Sequence, residues 1–284
     1  MQIANYKITS IESGMFKLDG GAMFGVIPKV LWNKTNPADE NNQIDMGLRT
    51  LLLESGKRKI LIDTGIGHKF NEKKEKMFGI DYTKHSMDKY LKKSNLTSDD
   101  ITDVFLTHLH FDHAGGNTYI DENGEIKATF KNAIYHVDKF HFEWAIKPSR
   151  RDRASFLKEN FEILIKNGQL NLFDGGHQKQ LFKNTEIVKV HGHTPHQCLL
   201  KIIDEKNTLL YCADLIPTSS HIPLPYIMGY DLNPLQTLSE KEIILEDAYQ
   251  NNWILFFEHD PKIQASTILK TDRNDYKMKE VIKI

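Results

Sequence analysis

"THLHFDHAGG", Thr107 to Gly116, is the stretch on which the reading of this chain turns. The apolar run before it, Val104-Phe105-Leu106, reads as a buried strand. Alternate residues of an extended chain point the same way, so His108 and His110 project together while Leu109 and Phe111 face a core. Asp112 and His113 come where the strand should break into a turn and can present side chains from a second direction. Ala114-Gly115-Gly116 carries almost no side-chain bulk, so the backbone there can fold tightly. Imidazoles and a carboxylate packed at a buried strand end are costly unless they share a charge partner. Zinc or a similar divalent ion suits that donor chemistry.

One stretch does not complete a site, and the remaining histidines and acids supply more. "VHGHTPHQ" (190–197) follows a strand-like run and holds His191, His193 and His196. "YCADLIP" (211–217) ends another with Asp214, and "LFFEHDP" (255–261) ends a third with Glu258, His259 and Asp260. Each stretch puts a ligand-type residue at the C-terminal end of a strand, where sites in layered α/β folds collect. A single such residue is more often structural. Four stretches in series argue for a site.

The other runs are consistent with one α/β domain over residues 1–284. Residues 50–56 and 59–65 read as a hairpin closed by a tight charged turn. Helical patterns are expected at 84–93, 138–145, 153–167 (stopped by Gly168) and 234–251, the last with Asn233 as cap and Pro234 in its first turn. Thr97-Ser98-Asp99-Asp100 reads as a cap or turn. Strands are expected at 103–107, 133–137, 186–190, 199–203, 209–212 and 253–257. Two packed sheets with helices outside suit that order.

Composition narrows the function classes. The 284 residues are 40% hydrophobic and 26% charged, enough to bury a sizeable core. A formal net charge of -1 gives no field to attract nucleic acid or an anionic membrane. Basic stretches such as Lys57–Lys59 and Lys147–Arg153 read as solvated faces. Cys198 and Cys212 lie in apolar runs, with no disulfide framework and no catalytic context. No segment has the signature of a signal peptide or a membrane span, so a cytoplasmic location is expected.

Taken together, these motifs resemble the metallo-β-lactamase superfamily. Its HxHxDH motif stands here as His108, His110, Asp112 and His113, followed in order by His193, Asp214 and His259, and "LIDTG" with Asp63 also matches. The resemblance implies a four-layer αββα sandwich of the α/β (α+β) class, with two divalent ions, Zn2+ by expectation. His108, His110 and His193 would hold one ion, Asp112, His113 and His259 the other, and Asp214 would bridge them. Asp63 would orient a ligand imidazole. Within the superfamily, "LDGGAMFGVIPKVLW" (18–32) and the "FEHDP" ending are similar to the quorum-quenching N-acyl homoserine lactone lactonases and their organophosphate-hydrolysing relatives. A homodimer is implied by the same resemblance.

The expected reaction is opening of the lactone ring of an N-acyl homoserine lactone by a metal-bridging hydroxide, with Asp112 as proton shuttle to the departing alkoxide. The expected partner is the small-molecule lactone, with no nucleic acid and no membrane. Met23, Phe24 and Ile27 are either core or dimer contacts or a wall for the acyl chain; Ile216, Ile222, Leu224, Tyr226, Ile227 and Met228 offer a second wall. Two departures stand out. The second glycine of GHTPGH is absent here, where Pro195 is followed by His196, and Pro217 stands where some lactonases carry a substrate-contacting tyrosine. His221 and Tyr226 are candidates to replace that tyrosine. An arylesterase or phosphotriesterase on the same site is the alternative activity. An RNA-processing nuclease is disfavoured by the charge balance, and a di-iron redox protein by His110 and the lack of room for a flavin domain.

Overall fold

The hairpin at 50–65 forms. Strands β3 (Gln43–Ser55) and β4 (Arg58–Ile62) pair antiparallel with Ser55 opposite Arg58, leaving Gly56 at φ 57° and Lys57 to turn the chain. They belong to a seven-stranded sheet of order β1-β2-β3-β4-β5-β8-β9. Its other members are β1 (Gln2–Ile3), β2 (Tyr6–Asp19), β5 (Asp103–Phe105), β8 (Ile134–Asp138) and β9 (Leu170–Phe173). A small hairpin, β6 (Thr118–Ile120) with β7 (Ile126–Ala128), stands apart. A six-stranded sheet runs in chain order through β10 (Thr185–Val190), β11 (Gln197–Ile203), β12 (Thr208–Tyr211), β13 (Ile254–Phe256), β14 (Ala265–Lys270) and β15 (Tyr276–Ile282).

These coordinates form a computed structural model that describes residues 1–176 and 180–284. The chain divides into two compact units: Met1–Gly14 with Leu48–Gln178, and Met15–Gly47 with Lys179–Ile284. The divisions fall inside β2 and β3. In the first unit, β4, β5, β8 and β9 run parallel, so Asp63, Leu106 and Asp138 leave the sheet at one edge. Parallel strands are covered on both faces and read as continuous apolar runs, which "KILI" and "DVFL" illustrate. Their core gathers Leu52, Leu61, Val104, Leu106, Tyr135 and Val137 with Phe161 and Leu164, all buried. In the second unit, β12 and β13 are also parallel, and the long helix Pro234–Gln250 packs on β14 and buries Ile244, Leu245 and Ala248 among others. No helix among the described residues is long and apolar enough to cross a membrane.

Several expectations shift. The helix expected over 153–167 breaks into a short 3-10 turn at Lys158–Asn160 and a helix over Glu162–Lys166, because buried Phe161 takes a non-helical φ of -144° between them. The helix expected at 84–93 begins only at Met87, where the Ser86 hydroxyl accepts from Lys89 N. Asn233 precedes Pro234 without a side-chain cap. The glycine-rich stretch at 18–32 has no element assigned from the sequence. It holds two short helices, Gly20–Phe24 and Lys29–Trp32, the first capped by Asp19. The hairpin of β14 and β15 had no counterpart in the sequence reading.

Candidate metal centre

In the first unit the backbone itself assembles the motif. Asp63 N donates to Phe105 O at 2.9 Å across the parallel β4–β5 pair, which sets residue 63 beside residue 107. Asp63 is fully buried and sits at φ 56°, a conformation that costs a non-glycine residue roughly 1–3 kcal/mol. Its carboxylate works in three directions. Oδ1 accepts Thr107 N at 2.8 Å, and Oδ2 accepts the Thr107 hydroxyl at 2.6 Å and lies 3.1 Å from His113 Nδ1. A carboxylate oxygen can only accept, so His113 carries its proton on Nδ1 and its lone pair on Nε2.

The strand ends at Phe105, earlier than expected, and a helical turn begins at Phe111. Phe111 therefore does not share the core with Leu109. The alternation ends at His110, and Phe111 packs against Phe70 and Phe78, with ring centroids 5.7 and 5.0 Å away. Potential ligand atoms of His108 and His110 lie within 4.8 Å of each other, as do those of Asp112 and His113. All four side chains are buried. Gly115 and Gly116 meet the strand-end segment so closely that a Cβ would collide with the carbonyls of Ile66 and Thr64. His141, which the sequence reading passed over, receives Leu109 N on its Nε2 at 2.9 Å. Asp138 caps the helix Lys139–Ile146 and thereby brings His141 there.

In the second unit three strand ends supply the rest. Gly192 follows β10 against the start of the long helix, where Thr237 leaves no room for a Cβ, and the Glu240 carboxylate accepts the backbone N–H of His191 and of Gly192. His193 comes next. Its Nδ1 lies 2.9 Å from Asp231 Oδ1 and its Nε2 3.0 Å from Asp214 Oδ2. His259 donates from Nδ1 to the carbonyl of Gly47 at 2.9 Å, and its Nε2 lies 3.2 Å from Asp214 Oδ1. One carboxylate thus presents one oxygen to each of two buried imidazoles. Burial opposes protonation of His193, but Asp214 and Asp231 outweigh it and push its pKa up to about 10. Negative charge around this imidazole calls for a cation. The other expected pocket residues also lie in this unit. Met23, Phe24 and His221 are buried, while Ile27 and Tyr226 are half-buried. Both ring nitrogens of His221 are engaged, Nδ1 with the Thr218 hydroxyl at 2.8 Å and Nε2 with Met23 O at 2.9 Å. His191 and His196 pair with each other, His196 N donating to His191 Nδ1 at 3.2 Å.

The chain matches the family described as "Metallo-beta-lactamase superfamily" over residues 49–259, well over half its length. It belongs to the metallo-beta-lactamase superfamily. The αββα fold class expected from the sequence is that of this family. A solved structure of a probable metal-dependent hydrolase from Staphylococcus aureus is 30% identical and covers all of both chains at a TM-score of 0.85. The dizinc quorum-quenching lactonase AidC is 20% identical with a TM-score of 0.80 over 100% of this chain and 97% of its own, a likeness of fold. An N-acyl homoserine lactonase from Bacillus thuringiensis is 25% identical over 62% of this chain, and the match spans 62% of that curated relative's length. The donor set fits divalent ions. Buried imidazoles and carboxylates make it up, and His113, His193 and His259 each have Nδ1 engaged by a carboxylate or carbonyl, which turns Nε2 toward a ligand position.

Proposed function

We propose that this protein opens the lactone ring of N-acyl homoserine lactones at a dinuclear zinc site. The observation that carries this reading is Asp214, whose two oxygens each face one imidazole, His193 on one side and His259 on the other. A carboxylate so placed suits a bridge between two ions. His108, His110 and His193 would hold the first ion, and Asp112, His113 and His259 the second. When bound, such ions lower the pKa of a water and polarise an ester carbonyl. The similarity to curated N-acyl homoserine lactonases supports the choice of a lactone. We infer that the two units act as one catalytic domain, and that the enzyme works as a homodimer in the cytoplasm.

The chain's own residues then have definite tasks. Asp63 locks His113 in one tautomer, Asp231 does so for His193, and the Gly47 carbonyl for His259. Asp112 takes the proton released as a water oxygen bonds to the ring carbonyl carbon. It returns that proton to the ring oxygen as the ester C–O bond breaks, so that the product is the N-acyl homoserine. No serine or cysteine nucleophile is required. The test is metal analysis of the purified protein followed by proton-release assays on lactones of several acyl lengths, with an aryl phosphotriester and an aryl ester in parallel. Two metal equivalents with fastest turnover on lactones is the expected result. Two equivalents with turnover only of the triester or aryl ester would replace the lactonase reading.

A further inference from the structure

Lys241 lies on the long helix of the second unit and is wholly buried. Its ammonium donates to three backbone carbonyls, those of His221 at 2.7 Å, Tyr226 at 2.9 Å and Pro223 at 3.0 Å, and reaches Leu224 O at 3.5 Å. Burying a charge this deeply is expensive, and burial pulls its pKa down to about 7 against the pull of Asp231 and Asp275. All four carbonyls belong to one irregular segment, "HIPLPY" (221–226). Pro223 and Pro225 supply no N–H there, so regular pairing cannot form; of the four carbonyls, that of Pro223 also accepts Tyr226 N at 3.0 Å.

That segment begins at the candidate ligands. Seven residues after Asp214 the chain reaches His221, having been fastened twice on the way: His259 N donates to Pro217 O at 3.0 Å, and Ser219 N donates to Asp260 Oδ2 at 2.9 Å. After the polar run Thr218 to His221 the side chains become apolar, with Ile222, Leu224, Tyr226, Ile227 and Met228 separated only by Pro223 and Pro225. His221 ties the segment to Met23 O, Gly229 N to Ala22 O, and Phe24 stacks on the His221 ring with centroids 4.6 Å apart and meets Tyr226 edge-on. A largely apolar wall therefore leads away from Asp214 and His259, and four of its carbonyls gather on one ammonium, beside the ties through His221, Gly229 N and Leu224 N, the last donating to Asp275 Oδ1 at 2.9 Å.

We propose that Lys241 is the positioning residue of this wall, residues 218–228 with Met23 and Phe24, and that the wall grips the apolar arm of the substrate. The identity of that arm as an acyl chain rests on the lactonase reading. The wall's dependence on Lys241 does not.

The test compares the metal-loaded parent with Lys241→Met and Lys241→Gln, the second retaining two N–H donors and serving in place of the first if that fails to fold. Amide hydrogen exchange over 218–229 should accelerate in Lys241→Met, less in Lys241→Gln, with two metal equivalents kept. The KM for decanoyl homoserine lactone should rise at least about fivefold relative to the butanoyl compound, while kcat on the latter stays within about twofold. Unchanged exchange and an unchanged chain-length ratio would overturn the proposal. So would an equal loss on all lengths together with loss of metal. If the parent opens no lactone, the lactonase reading falls on that control alone. The same ratio is then read on nitrophenyl butanoate and decanoate, and the exchange data decide for or against the tie whatever substrate is turned over.

Discussion

Asp112 and Asp63 are both carboxylates of the motif region, yet substitution should separate them. Asp112→Asn removes the group assigned to carry the proton, and turnover should fall about a hundredfold or more with at least one metal equivalent retained. Full lactone turnover in that variant would remove Asp112 from the proton path. Asp63→Asn leaves the reacting groups in place but weakens the hold on His113. Metal affinity, read by competition with a chelator, should drop roughly 10–100-fold. A third residue reports on stability. Burial holds His221 neutral and draws its pKa down to about 4 from 6.5. Between those values the unfolded chain binds a proton that the folded one refuses, so stability falls as pH drops from 6.5 through 4, by up to roughly 3 kcal/mol. Urea unfolding of chelated protein should show a shallower loss over that window in His221→Gln, and identical slopes would acquit His221. At this scale the candidate ligands stand out in the sequence by chemical type at strand ends. The groups that orient them do not, because Asp231 is 38 residues from His193 and Gly47 is 212 from His259. No local pattern marks such partners.

The elements divide along similar lines. Runs such as "KILI" and the Asn233-Pro234 start were legible because burial on both faces and a proline in the first turn leave local signatures. Phe111 was misplaced because period-2 alternation was carried one residue past His110, where the chain had already turned helical. The continuous helix over 153–167 failed for a tertiary reason, burial of Phe161 in a non-helical conformation. The low bulk of the two glycines after the motif permits close approach, and the contact of Gly115 with the Ile66 carbonyl makes that a requirement. Gly115→Ala should therefore destabilise the protein by about 2–3 kcal/mol or more in denaturant unfolding, a cost far above that of an ordinary surface alanine. A neutral result would mean that the segment 64–67 yields easily.

For the whole molecule, the number and order of strands point to two sheets, whereas the division into units leaves no mark in the sequence, since its boundaries fall inside single strands, β2 and β3. Metal bound only by the folded state stabilises it by mass action, about 4 kcal/mol at a thousandfold excess over Kd. Chelation should lower the Tm and abolish hydrolysis together, and zinc readdition should restore both. Activity surviving complete demetallation would contradict a metal-dependent mechanism. Each unit is stitched from two distant stretches of chain, and this dictates a schedule during synthesis. The stretch that closes the first unit has left the ribosome once residue 178 is out, with His108 to His113 already in place. Residues 15–47 emerge early but must wait for 179–284, and the Gly47 carbonyl waits until His259 arrives. A nascent chain caught midway would therefore offer a metal only the first half of the proposed donors, and loading would wait until His259 has emerged.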